Sequence, residues 1–328
     1  MTTPPARSAS ASASADLPLA VGPAISASFG PGACRVFIAT LIASERLSSG
    51  DISHAEDGLR QAGIHPFGRS WIEADRACDI LFSAGPAAAR TALEALLTGI
   101  DAVVQGEASR RRKLLVADMD STMIEVECID ELADYAGLRA EVAAITDRAM
   151  KGELVFEEAL RERVALLKGL DAAVIDRCRQ ERVRLTPGAK PLVRTMRRHG
   201  AHTVLVSGGF TLFAEPVAAE IGFDGVVANR LGVADGILTG AVEAPIVGAE
   251  GKRRALLDAA AGRGADVSDA LAVGDGANDV PMLETAGLGV AFRARPAAEG
   301  AASASIRYND LTALLYAQGW ASEEWEAG

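Results

Sequence analysis

The chain has 328 residues, 49% of them apolar and 23% charged; at about 150 residues per domain this is roughly two domains of globular balance, which excludes disorder as the main state. Forty-four acidic residues against 33 basic ones give a net charge of −11, which argues against general attraction to nucleic acid or an anionic membrane, and no run of about 18 apolar residues could span a bilayer. Four dispersed cysteines, Cys34, Cys78, Cys128 and Cys178, form no CxxC pair, so neither a zinc site nor a disulfide framework is expected and a cytoplasmic location is the simplest reading.

Residues 1–16 alternate Ala and Ser after Pro4-Pro5, too little apolar side chain to offset ordering entropy, and read as a disordered tail. Leu17–Ile25 is too short, and too broken by Pro18 and Pro23, for a signal peptide. From 35 to about 105, short apolar runs alternate with helical periodicity. Arg35–Ile42, Gly68–Glu73, Cys78–Ser83 and Asp101–Val104 read as strands, with Ser53–Ala62 and Ala87–Leu97 as helices. The order βαββαβ is ferredoxin-like. Turn residues such as Asp75 need no role beyond forming turns. The domain is expected over 17–108, and the basic run Arg110–Lys113 reads as a solvated linker.

Beyond the linker, over 109–328, strands (Leu114–Ala117, Thr203–Val206, Ala270–Val273, Leu288–Ala291) alternate with helices (Lys190–Arg198, Leu212–Ile221, Lys252–Ala261). Such units predict a Rossmann-like parallel sheet covered by helices on both faces. A stretch at about 124–185 carries amphipathic segments (Cys128–Ala136, Arg139–Met150, Phe156–Leu167, Ala172–Gln180) without a strand signal, and reads as a helical cap inserted over one end of the sheet.

Ligands gather at the carboxyl ends of parallel strands. The first core strand ends in Asp118-Met119-Asp120-Ser121-Thr122. Alone this fits a helix-capping turn as well as a reactive site. A later strand runs into Gly274-Asp275-Gly276-Ala277-Asn278-Asp279, and converging carboxylates make most sense around a hard divalent cation, for which Mg²⁺ is suited. Ser207-Gly208-Gly209 ends a third strand as an anion cradle, and Lys252 at a helix start can add a point charge. His54 and His65 fall in the N-terminal domain and His199 and His202 at a strand start, away from the motif tips.

The combination DxDST, SGG, Lys, GDGAND resembles the haloacid dehalogenase superfamily of aspartyl-phosphate hydrolases, over about residues 113–318. The resemblance implies Asp118 as the nucleophile, Asp120 as general acid and then base, and Mg²⁺ held by Asp118, the Asp120 backbone carbonyl and Asp275, with Asp279 orienting that shell. It also implies Ser207, the Gly208 and Gly209 amides and Lys252 as holders of the phosphoryl oxygens, with Asn278 beside them.

The runs DMDSTMIEVECIDELADYAG, MKGELVFEEALRERVALLKGL, VSGGF, ANRL, DGILTG and VGDGANDVPML are similar to the phosphoserine phosphatase family. That likeness implies that Glu127 faces the substrate ammonium, Arg163 pairs with its carboxylate and Phe156 closes over it; a zwitterion needs one anion and one bidentate cation at fixed spacing. Read without it, Glu127 is a helix N-terminal charge and Arg163 a solvated member of Arg161-Glu162-Arg163. The expected reaction is Mg²⁺-dependent hydrolysis of O-phospho-L-serine to L-serine and phosphate, the last step of L-serine biosynthesis; action on another phosphorylated amino acid such as phosphohomoserine is the alternative. The N-terminal module is expected to be ACT-like, serving dimerisation or serine feedback.

Overall fold

The computed structural model describes residues 35–150 and 153–327; the expected tail at 1–16, and the start of the expected N-terminal domain at 17–34 with Cys34, lie outside the described residues. The N-terminal module runs β1 (Phe37–Ala43), α1 (Ser49–Gln61), β2 (Gly68–Glu73), β3 (Ala77–Phe82), α2 (Pro86–Leu96) and β4 (Ile100–Gly106). Its sheet is antiparallel in the order β2-β3-β1-β4, the ferredoxin-like arrangement. A Ser48/Asp51 capping box starts α1 and Pro86 opens α2. One sheet face puts Ala39, Leu41, Ile80 and Phe82 against Ile52, Leu59, Ala89 and Leu93 of the helices. The other face gives Ile42, Ala77 and Val103 to the core of the following domain. Burial on both faces explains why β1 reads FIATLIA rather than alternating polar and apolar.

The basic run that follows is not a solvated linker. Arg110 donates to Asp79 at 2.7 and 3.2 Å, and Arg112, 5% exposed, donates to the Ser268 carbonyl at 2.6 Å and Gln105 at 2.8 Å. The Arg111 guanidinium sits 5.5 Å from the Trp320 ring centre. A buried Asp101 carboxylate collects the backbone N–H groups of Arg307 and Asn309 at 2.8 and 3.0 Å. A charge run is solvated only when no acceptor awaits it, and here Asp79, Gln105 and the Ser268 carbonyl supply acceptors distant in sequence.

The second domain continues through β5 (Leu114–Asp118), α3 (Cys128–Tyr135), α4 (Arg139–Met150), α5 (Phe156–Leu166), α6 (Ala173–Arg182), α7 (Ala189–Arg198), β6 (His202–Phe210), α8 (Thr211–Ile221), β7 (Gly225–Asn229), β8 (Leu231–Ala234), β9 (Ile237–Val242), α9 (Ala249–Arg263), β10 (Ala270–Gly274), α10 (Val280–Thr285), β11 (Leu288–Phe292), α11 (Pro296–Ala301), β12 (Ala304–Ile306) and α12 (Ala313–Ala317). Six strands form a parallel sheet in the order β12-β11-β10-β5-β6-β7. The central strands β5, β10 and β11 are buried along their whole length, as a sheet covered on both faces requires.

Helices α3 to α6 make up the cap between β5 and β6. The sequence reading left β7, β12 and the hairpin β8–β9 unassigned. Asp235 and Gly236 turn that hairpin with φ of 54° and 78°, the two left-handed positions of a type I′ Asp-Gly turn. The hairpin props the cap: Leu238 exchanges backbone bonds with Gly169 and Leu170 at 2.9 and 2.8 Å, and Ala172 N donates to the Gly236 carbonyl at 2.8 Å. Among the described residues no helix is long and apolar enough to cross a membrane, and Cys78, Cys128 and Cys178 are buried and free.

Candidate active site

Sheet order brings three strand ends together, because β5 lies between β10 and β6. Asp118 closes β5, and the chain then makes a tight turn in which Ile124 N reaches back to the Met119 carbonyl at 3.0 Å and Ser121 takes φ of 54°. A left-handed serine costs on the order of 1–3 kcal/mol and persists where its surroundings fix it. The Ser121 N–H donates to the Val126 carbonyl at 3.2 Å, and its hydroxyl donates to Glu127 Oε1 at 2.8 Å. The strained residue thus aims the first cap side chain.

Beneath the cavity is an ionic floor. Lys252, fully buried, places Nζ 2.6 Å from Asp118 Oδ1 and 2.7 Å from Asp279 Oδ1. Asp279 Oδ2 accepts the N–H groups of Asp275 and Gly276 at 3.2 and 3.0 Å. Both Asp279 oxygens are therefore engaged, and the residue organises the loop. Gly274 is required here: a Cβ on it would stand 2.4 Å from Asp279 Cγ. Asp118 Oδ1 also accepts from Met119 N at 2.8 Å, and Oδ2 receives no hydrogen bond among the described residues.

Asp120 Oδ1 accepts from Cys128 N at 2.9 Å and Oδ2 from the Ser207 hydroxyl at 3.2 Å, while Ser207 Oγ accepts the Gly209 N–H at 2.8 Å. The Gly209 amide and Ser207, read as phosphate ligands, thus spend these bonds inside the site, and Ser207 and Lys252 lie under the cavity instead of lining it. Burial pushes the Asp118 and Asp120 carboxyls above the usual range, Asp279 adding to the effect on Asp118. Burial and Asp279 lift Asp275 to about 6. Lys252 is held charged by Asp118 and Asp279, which outweigh its desolvation.

The cavity above the floor measures about 260 Å³, and its walls include Asp118, Asp120, Asp275 and Asn278 from the core, with Glu127, Phe156 and Arg163 from the cap. Gly208 and Gly209 complete the rim. The Phe156 ring rests on two glycines, since a Cβ at Gly208 or Gly248 would come within 3.2 Å of it. Glu127 occupies the N-cap position of α3 yet makes no side-chain cap bond, and burial, then Asp120, lifts its carboxyl to about 7; a group serving only the helix dipole would stay solvated. Arg163 is half-buried, its Nε donating to the Ala159 carbonyl at 3.2 Å, whereas Arg161 is exposed. Burial holds the Arg163 guanidinium below its usual value.

Two contributors were missed in the sequence. Arg295 lines the cavity, its N–H donating to the Asp275 carbonyl at 2.9 Å; it follows β11, so the strand-end rule applied to every strand would have found it. Asn229, at the end of β7, joins the Gly208 carbonyl to the Val247 backbone through bonds of 2.7 to 3.2 Å, a clasp that only tertiary structure reveals.

Residues 115–284 match the family model of haloacid dehalogenase-like hydrolases. The chain belongs to that family. It is 47% identical to a phosphoserine phosphatase of Polaromonas sp. over 62% of this chain and 88% of that protein. It is 48% identical to one of Streptomyces coelicolor over 73% of this chain, but spans only 59% of that relative's length. A probable phosphoserine phosphatase from Vibrio cholerae superposes with a TM-score of 0.69 at 31% identity, covering 87% of each chain. Members of the family use a divalent metal, and the donor set fits one. Asp118, Asp275 and Asp279 each have an oxygen within 4.8 Å of the others; with Asp279 turned to Lys252 and the loop amides, Asp118 and Asp275 face the cavity, where a cation would offset the burial and the Asp279 charge that raise them.

Proposed function

We propose that the protein hydrolyses O-phospho-L-serine to L-serine and phosphate. The observation that carries this reading is the meeting, in one cavity, of the core carboxylates Asp118, Asp120 and Asp275 with a cap carboxylate, Glu127, and a cap guanidinium, Arg163. A phosphate ester of an amino acid presents the matching charges: phosphate toward the floor, ammonium toward Glu127, carboxylate toward Arg163. The relatives named phosphoserine phosphatase support this substrate over phosphohomoserine.

In this reading Asp118 Oδ2, free of hydrogen bonds, attacks phosphorus as the bond to the serine oxygen breaks. Asp120, whose carboxyl burial shifts toward its protonated form, delivers the proton to the departing oxygen. Water then attacks the aspartyl phosphate and Asp120 takes up its proton, restoring both carboxyl groups. Mg²⁺ held by Asp118, Asp275 and the Asp120 main-chain carbonyl would supply positive charge that keeps Asp118 ionised and offsets the phosphoryl oxygens. Lys252 fixes Asp118 and Asp279 from beneath, the rim at Gly208 is open to those oxygens, Asn278 lies at the same wall, and Phe156 excludes water from above. We assign the N-terminal domain, expected over 17–108 and described from residue 35, to an ACT-like role in dimerisation or serine sensing, in a cytoplasmic enzyme. A dimer through it has the edge strand β2 available, which pairs with β3 alone among the described residues.

The test is phosphate release from phosphoserine with and without Mg²⁺, beside Asp118→Asn. Metal-dependent release by the wild type and none by the variant is expected; release that survives Asp118→Asn removes the reading.

A further inference from the structure

Two arginines line the catalytic cavity beside the carboxylates Asp118, Asp120, Glu127 and Asp275. Lys252 lies beneath, spent between Asp118 and Asp279. Arg163 belongs to the cap and answers the amino-acid end of the substrate. Arg295 stands on the core wall with Asp275 and Asn278, and nothing in the catalytic scheme yet uses its side chain.

Its main chain is pinned on both sides. After β11 ends at Phe292, Arg293 N donates to the Ile306 carbonyl at 2.8 Å and Arg295 N to the Asp275 carbonyl at 2.9 Å. The Arg295 carbonyl then accepts the N–H groups of Ala298 and Glu299 at 3.0 and 3.1 Å. Any residue with an N–H could do this, so the fold does not require an arginine here. The side chain is exposed, makes no hydrogen bond and meets no carboxylate at ion-pair distance among the described residues. Its neighbours are engaged: Arg293 lies 5.1 Å from the Phe292 ring centre and donates to the Asn309 carbonyl at 3.3 Å, and Arg307 donates to Glu299 at 2.9 Å.

The two cavity arginines also answer to different acids. Burial and Asp279 raise the Asp275 carboxyl, while Lys252 and then Arg295 draw it back; burial lowers the Arg163 guanidinium, while Asp130 and Glu127 act the other way. Arg163 therefore sits in the field of the cap acids, and Arg295 in the field of the core acids where phosphorus meets Asp118. A phosphate dianion approaching Asp118, Asp120 and Asp275 is repelled unless a cation opens onto the same wall, and a guanidinium offers paired N–H donors that match two phosphoryl oxygens.

We propose that Arg295 binds the phosphoryl group, meeting the oxygens of the incoming ester and of the departing inorganic phosphate, and leaves the amino-acid end to Glu127 and Arg163. The proposal rests on reading the cavity as a phosphomonoester site and assigns its second free cation.

Calorimetric titration of the full chain with inorganic phosphate in the presence of Mg²⁺ tests it, beside initial rates on phosphoserine and p-nitrophenyl phosphate. Arg295→Ala keeps the main-chain bonds, so its melting temperature should hold. The phosphate Kd and the KM of both esters should rise together by about three- to tenfold, the range of a charged hydrogen bond discounted for solvent exposure. Arg295→Lys keeps the charge and should recover part of that loss. Raising the salt concentration should weaken phosphate binding more in the wild type than in Arg295→Ala. A KM rise confined to phosphoserine would move Arg295 to the carboxylate end, and an unchanged phosphate Kd in Arg295→Ala would leave it without a ligand; either result overturns the proposal. Failure of the substrate reading is distinct: a wild type that hydrolyses only the simple ester refutes phosphoserine, while phosphate binding still reports on Arg295.

Discussion

Lys252 in the floor of the catalytic cavity is fully buried and holds two carboxylates at 2.6 and 2.7 Å, whereas Arg163 in the roof donates only to the Ala159 carbonyl at 3.2 Å. The floor is a closed network in which Lys252, Asp118, Asp279 and the loop amides fix one another before any ligand arrives. The roof keeps polar capacity in hand: Glu127 takes one bond from Ser121, and Arg163 has no carboxylate within ion-pair distance among the described residues. Groups already bound to each other are positioned for chemistry; groups with donors and acceptors to spare are positioned for recognition.

Breaking the floor should have the larger consequences. Asp118→Asn is expected to lower turnover by on the order of 10³-fold or more, the scale seen when a nucleophile is removed, checked by initial rates at saturating phosphoserine. Lys252→Met leaves Asp118 and Asp279 buried without their cation, and should cost about 3–5 kcal/mol in denaturant unfolding without metal; added Mg²⁺ should recover more stability in this variant than in the wild type. A cost under about 1 kcal/mol would mean that the lysine does not organise the floor. Gly274→Ala forces Asp279 aside and is expected to cost about 1–3 kcal/mol, with a matching fall in activity.

The roof should respond more gently and with pH. The Glu127 carboxyl is lifted from 4.5 to about 7 by burial. A raised carboxyl pKa favours the fold while the group is protonated, so this contribution is complete below about 4.5 and is lost as pH rises through about 7. Without ligand, Glu127→Gln should therefore gain melting temperature over the wild type as pH goes from 5 to 8. A difference that stays constant across that range would return Glu127 to the solvent.

Much of this contrast was legible in the sequence because strand-end motifs are local: DxDST and GDGAND each carry their own strand, turn and acids. The same locality explains what went unread. Arg110 and Arg112 looked solvated since their acceptors, Asp79 and Ser268, are 31 and 156 residues away. Asn229 joins two loops that only the sheet brings together, and Arg295 follows a strand to which no motif drew notice. The hairpin β8–β9 did carry a local signal, Asp235-Gly236, between apolar runs of only four and six residues interrupted by Gly232 and Gly240.

The division of labour between floor and roof is tested most directly by the kcat/KM ratio for phosphoserine over p-nitrophenyl phosphate, which lacks the ammonium and carboxylate, in wild type and Arg163→Ala. The wild type should favour phosphoserine, and the variant should lose about tenfold or more of that preference through KM while keeping its rate on the simple ester. Equal losses on both substrates, or a wild type without preference, would contradict a roof built for recognition.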